Sequence, residues 1–213
     1  MYQTILFDLD GTLTDSGQGI LNSVAYALDQ MGIEEPNTEN LKRFIGPPLY
    51  ESFARFYQLN PANTQAAVDA FRVYFKEKGM FENQLYDGVI PLLEALTEAG
   101  KTLAIATSKP EVFAKQILEY FGIAHYFDVI SGASLDSSRI SKTDVISYAL
   151  AQLNYNPQTS IMVGDREHDI EGAQANQLAS IGVLYGYGNR QELEKAGATM
   201  VAETLLDLKQ LLV

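Results

Sequence analysis

The sequence predicts an α/β fold: a doubly wound parallel sheet with a bundle of helices inserted after its first strand. Three observations predict it. Short, continuous apolar runs bounded by turn residues recur along the chain, as strands buried on both faces require. Stretches with apolar residues at helical spacing lie between them, an alternation that implies right-handed crossovers joining parallel strands. One segment, residues 15–81, breaks the alternation with helical patterns alone. A chain of 213 residues has room for one such domain and a smaller insert.

Thr4-Ile5-Leu6-Phe7 is the first run and ends at Asp8. In the insert, Ile20, Leu21, Val24, Leu28 and Met31 share one helical face, and Ala67, Phe71, Tyr74 and Phe75 share another. Leu41-Phe44 and Leu49-Phe53-Phe56 fill the space between, which reads as a small bundle. The chain returns through Leu85-Tyr86-Asp87-Gly88-Val89, giving a core of residues 1–14 and 82–213 and an insert of 15–81. An insert at the ligand edge of a sheet is placed to act as a lid. Beyond it, helical patterns over 89–99, 112–120 and 145–153 alternate with the runs Thr102–Ala106 and Ser160–Val163. Further strands are predicted at Phe127–Ile130, Ala179–Val183 and Thr199–Val201.

Composition removes several function classes. The apolar share of 46% and charged share of 20% suit a globular core and exclude a disordered or collagen-like chain. A formal net charge of −12 argues against nucleic-acid and anionic-membrane partners, whose phosphates would be repelled. Without cysteine there are no disulfides, thiolate metal sites or thiol nucleophiles. The two histidines, His125 and His168, are too far apart in sequence to suggest a histidine-rich metal site. The N-terminus lacks the basic start and long apolar stretch of a signal peptide, and no run approaches 18 apolar residues. A soluble cytoplasmic protein is the expectation, and either a monomer or a dimer is compatible with it.

In doubly wound sheets, ligands bind beyond the carboxyl ends of the strands. Three of the runs deliver Asp8, Thr107 and Asp165 to that edge. Asp8 and Asp10, followed by Gly11, crowd negative charge where the chain leaves a strand, and a divalent cation would relieve the crowding. Asp165 and Asp169 add two carboxylates at i, i+4 spacing, predicted to share one side of a helix start. Such an all-oxygen set favours Mg²⁺ over zinc or copper. Lys142 opens another helix pattern and could bring a cation to the same edge. Each residue also has a plain structural reading: Asp165 and Thr107 as helix caps, Asp169 as a first-turn acid, Lys142 as solvated surface.

With these residues in place, the chain resembles the haloacid dehalogenase superfamily of phosphohydrolases, specifically its phosphoglycolate phosphatase branch, with a Rossmann-like core and a helical cap. Asp8-Leu9-Asp10-Gly11-Thr12 matches the first motif of the family, Thr107 the second, Lys142 the third, and Gly164-Asp165 with Asp169 the fourth. The resemblance implies an Mg²⁺-dependent phosphomonoesterase that works by double displacement. Asp8 would be the nucleophile and form an aspartyl-phosphate, while Asp10 would protonate the leaving group and then activate water. Asp8, the Asp10 carbonyl and Asp165 would hold the metal, with Asp169 bracing metal-bound water or Lys142. Thr107, Ser108 and Lys142 would grip the phosphoryl oxygens.

The chain departs from the family pattern in three places: Ser108 stands where asparagine is common, and Thr143 and Asp87 stand where proline is common. The Arg166-Glu167-His168 filling resembles bacterial relatives that include 5′-nucleotidases as well as phosphoglycolate phosphatases. Substrate choice is expected to sit on the cap, with Arg43, Gly46 and Pro47 as its candidates. Arg43 on a substrate carboxylate would favour phosphoglycolate, and an aromatic-lined gap a nucleoside. The expected partner is therefore a small phosphorylated metabolite. The alternatives are a sugar-phosphate mutase of the same superfamily and a non-catalytic, receiver-like or phosphometabolite-binding module.

Overall fold

A computed structural model describes residues 2–136 and 138–213. The chain divides into two compact units, one of residues 1–14 with 85–213 and the other of residues 15–84. The first unit, the core, begins with β1 (Thr4–Phe7), every residue of which is buried. The chain passes into the second unit through β2 (Thr14–Asp15) and leaves it through β3 (Gln84–Leu85), and these two short strands pair with each other. The sequence carried no sign of them, since two residues are too few for a periodicity.

The second unit is helical. It contains α1 (Gly17–Gln30), a 3₁₀ segment at Thr38–Phe44, α2 (Leu49–Tyr57) and α3 (Pro61–Tyr74), which runs on into a π-helical turn at Phe75–Gly79. The apolar stripe of α1, with Ile20, Val24, Ala27 and Leu28, is buried, as are Ala67, Val68 and Phe71 of α3. Phe44 sits among Phe53, Phe56 and Tyr57, its ring centroid 4.8 to 6.1 Å from theirs. Aromatic contacts at these distances add stabilisation beyond simple area burial.

Back in the core, the chain alternates as predicted. It forms α4 (Val89–Glu98), β4 (Thr102–Pro110), α5 (Glu111–Tyr120), β5 (Val129–Ala133) and α6 (Lys142–Leu150). It then continues with β6 (Ser160–Gly164), α7 (Glu167–Ala175), β7 (Ala179–Val183), α8 (Arg190–Ala196), β8 (Met200–Ala202) and α9 (Leu205–Leu212). Among the described residues, six strands form one sheet in the order β5-β4-β1-β6-β7-β8, with every adjacent pair parallel. Leu6, Ala104, Ala106 and Met162 pack against Val145, Ile146, Ala149, Leu150 and Ala173 on one face. Ile5, Phe7, Leu103, Ile105, Ile161 and Val163, which alternate with them, are equally buried, so both faces are covered. The predicted strand at 127–130 lies two to three residues later, at Val129–Ala133, because Phe127 closes a 3₁₀ turn and Asp128 instead bonds to Leu103. No helix among the described residues is long and apolar enough to cross a membrane.

This topology fixes where ligands can sit. From β1 the chain winds out to β4 and β5, then returns to β6 on the other side of β1 and winds the opposite way. The reversal lies between β1 and β6, which is where doubly wound sheets open a crevice beyond their carboxyl ends.

Candidate active site

Asp8 follows β1 and Asp165 follows β6, the two strands that flank the reversal. Phe7 is in register with Val163 on β6, so these two strands end nearly level, and with Ile105 on β4, which runs on through Thr107 to Pro110. Lys142 is the first residue of α6, a helix whose start is fixed by the Ser141 hydroxyl accepting the Asp144 N–H at 3.1 Å. From there the buried Lys142 ammonium reaches three oxygens: Asp8 Oδ1 at 2.8 Å, Asp169 Oδ1 at 2.7 Å and the Ala106 carbonyl at 3.1 Å. The surface reading of this lysine is thereby overturned.

Asp165 and Asp169 reach the cluster in a way their spacing did not foretell. Helix α7 begins only at Glu167, with Arg166 as its N-cap, so Asp165 lies in the preceding loop rather than on the helix. Its Oδ2 accepts the Tyr187 N–H at 2.7 Å, while its Oδ1 is buried without a hydrogen-bond partner among the described residues. Asp169 is the first-turn acid of α7, and its Oδ2 accepts the Arg166 N–H at 3.1 Å. Its other oxygen is the one that pairs with Lys142, so the structural and functional readings of Asp169 hold together.

One carboxylate oxygen from each of Asp8, Asp165 and Asp169 lies within 4.8 Å of the others. Among the described residues, Lys142 is the one ammonium paired directly with these three buried carboxylates, which leaves two negative charges without a direct ion-pair partner at full ionisation. The electrostatics carry that signature. Burial pushes the Asp165 carboxyl well above the usual carboxylate range, and Asp169 and Asp8 push it further. The Asp169 carboxyl is also raised by burial, against the pull of Lys142. Burial alone would lower Lys142, but Asp169 and Asp8 outweigh it and hold the ammonium above the usual lysine range. A hard divalent cation fits this set: all-oxygen donors, an excess of two charges, and a buried oxygen on Asp165 left over.

Glycines let the backbone close around Asp165. Gly11 turns the chain at φ +82°, and a Cβ there would run into the Asp165 carboxylate. Gly186 and Gly188, in the loop after β7, approach Asp165 as tightly. The half-buried Tyr185 phenol in the same loop donates to the Thr12 carbonyl at 3.1 Å.

Asp10 stands apart from the three-carboxylate group. Its Oδ2 pairs with Lys109 Nζ at 2.8 Å, and its Oδ1 is buried without a hydrogen-bond partner among the described residues. Thr107 is buried in β4, the last residue before its pairing with β5 shifts, and its hydroxyl accepts the Lys109 N–H at 3.3 Å. It does not cap α5, whose N-cap is Pro110. Ser108 is half-buried beside it. Lys109 was missed by the sequence reading. Its signal was available, a lysine at the end of an apolar run two residues after Thr107.

The remaining candidates lie in the helical unit. The Arg43 guanidinium sits 4.2 Å from the Phe56 ring centroid and 3.8 Å from Glu35, which also takes hydrogen bonds from Asn40 and Tyr57. Gly46 adopts φ +104°, a conformation that favours glycine, and Pro47 and Pro48 lead into α2.

Residues 5–183 match the family model of the haloacid dehalogenase-like hydrolases. The chain belongs to that family. A 5′-nucleotidase of Pseudomonas aeruginosa is 43% identical over 211 residues, which span 99% of this chain and 96% of that protein. The tyrosine-protein kinase PtkA of Mycobacterium tuberculosis is also 43% identical, over 99% of this chain and 72% of its own length. A phosphoglycolate phosphatase of Colwellia psychrerythraea is more distant, at 28% over 97% and 95%. Among solved structures, that of a predicted phosphatase from Clostridium acetobutylicum superposes with a TM-score of 0.94. It is 48% identical and spans 99% of this chain and 97% of its own.

Proposed function

We propose that this hydrolase is an Mg²⁺-dependent phosphomonoesterase of small phosphorylated metabolites, working through an aspartyl-phosphate on Asp8. The observation that carries the reading is the buried triad of Asp8, Asp165 and Asp169, with one ammonium among them and one oxygen of Asp165 left over. Asp8, Asp165 and the Asp10 carbonyl would hold the ion, with Asp169 beside them. When bound, the ion supplies positive charge that lets an anionic nucleophile approach an anionic ester.

The residues of the chain divide the work. An Asp8 carboxylate oxygen bonds phosphorus as the bond from phosphorus to the leaving oxygen breaks, and that oxygen takes a proton from the Asp10 carboxyl. Asp10, now a carboxylate, takes a proton from water as the water oxygen attacks phosphorus, which restores Asp8 and frees phosphate. Lys142 holds Asp8 in place and, with Thr107 and Ser108, binds phosphoryl oxygens. Asp169 holds Lys142 and the start of α7 at once. Residues 15–84 serve as the cap that selects substrates in a cytoplasmic enzyme.

Within that class, a nucleoside 5′-monophosphate is favoured over phosphoglycolate. The relative named 5′-nucleotidase is 43% identical against 28% for the phosphoglycolate phosphatase, and the Arg43 guanidinium is already engaged by Glu35 and Phe56. The test is phosphate release from nucleoside 5′-monophosphates, phosphoglycolate and a hexose 1-phosphate, with Mg²⁺ and with EDTA. Nucleotide turnover that needs Mg²⁺ is expected. An isomerised sugar phosphate would instead identify a mutase, and inertness on every ester a binding module. The similarity to PtkA supplies a second reading, transfer of phosphate to tyrosine. Labelled ATP with a tyrosine-bearing polypeptide separates the two, since the phosphatase reading predicts no labelled polypeptide.

A further inference from the structure

Strand β4 departs from regular pairing at its end. Thr107 lies opposite Gly132 and Pro110 opposite Ala133, so Ser108 and Lys109 are two extra residues that face none on β5. Bulges of this kind re-aim side chains at the edges of sheets. The missing side chain of Gly132 permits this one, because a Cβ there would meet the Lys109 carbonyl at 2.5 Å and Glu111 Cα at 2.6 Å. The outcome is a buried ion pair: Lys109 Nζ lies 2.8 Å from Asp10 Oδ2, with the side chains only 6% and 14% exposed. Desolvating two such charges is costly. The arrangement calls for a reason beyond packing.

We propose that Lys109 is a positioning residue for Asp10, which fixes the carboxyl so that Oδ1 is the atom that gives and takes the proton. This rests on the phosphomonoesterase reading above. An ammonium donating to Oδ2 leaves Oδ1 as the oxygen that carries the proton, and Oδ1 is the one buried without a hydrogen-bond partner among the described residues. Without Lys109 the carboxyl loses the contact that fixes its orientation and is free to rotate.

Leaving groups of different basicity separate this role from a structural one. Nitrophenolate departs without protonation, whereas an alkoxide needs the acid. The value of kcat/KM reports steps up to formation of the aspartyl-phosphate. The experiment compares kcat/KM for p-nitrophenyl phosphate and a nucleoside 5′-monophosphate in wild type, Lys109→Met and Lys109→Arg. Lys109→Met should lose about 100-fold on the nucleotide and no more than about 3-fold on the nitrophenyl ester, the range expected of a general acid. Lys109→Arg should recover most of that ratio. Both substrates are read on one preparation, so a partly misfolded variant does not distort the ratio. Equal losses on both esters, or an unchanged ratio, would overturn the proposal. A wild type inert on both esters would instead overturn the phosphomonoesterase reading beneath it.

Discussion

The core and the helical unit each hold a cluster of charged groups, and the two are built differently. In the core, Lys142, Asp8 and Asp169 are almost wholly buried and joined at 2.7 to 2.8 Å. In the helical unit, Arg43 is about one-third exposed, stacks on an aromatic ring and stands 3.8 Å from Glu35. Buried charges depend on their partners, because removing one leaves the others desolvated and uncompensated. Exposed ion pairs are screened and contribute little. Chemistry that must not vary is thus held in the core by mutual dependence, while the helical unit can change its polar groups at small cost.

Substitutions should expose that contrast. Asp8→Asn is expected to abolish turnover, by at least about 1,000-fold on p-nitrophenyl phosphate, with the fold intact by circular dichroism. Lys142→Met removes the shared partner of two buried carboxylates. Metal-free protein should lose about 3–5 kcal/mol of stability in urea unfolding, together with its activity. Asp165→Asn should act in the opposite direction on stability. It removes one of three mutually repelling carboxylates, so the metal-free variant is expected to melt higher than wild type by a few degrees, equivalent to about 1 kcal/mol. Calorimetry in EDTA reads this, and a lower melting temperature would mean that the Tyr187 N–H contact outweighs the repulsion. Arg43→Ala should be the mildest, within about 1 kcal/mol in stability and about 3-fold on p-nitrophenyl phosphate. Its effect should show in the preference among natural substrates.

Much of this was legible in the sequence, and the reasons are local. Apolar runs such as Thr4–Phe7 and Ser160–Gly164 are strands because both faces of a parallel sheet are covered, and a run ending in Asp reports a strand end at the ligand edge. Asp8, Lys142, Asp165 and Asp169 were all identifiable, but how they meet was not. The spacing of Asp165 and Asp169 implies a shared helix, whereas a loop and an N-cap at Arg166 bring them together. The part played by Lys109 depends on a bulge opposite Gly132, a pairing between distant segments that leaves no periodicity to read. The hold of Gly186 and Gly188 on Asp165 likewise depends on a loop distant in the chain, beyond the next strand.

The central claim is that Asp8, Asp165 and Asp169 share one divalent ion. Isothermal titration of Mg²⁺ into metal-free wild type and Asp165→Asn tests it most directly. One bound ion per chain in wild type, and binding weakened at least about 100-fold in the variant, is the predicted result. Unchanged affinity in Asp165→Asn would contradict it.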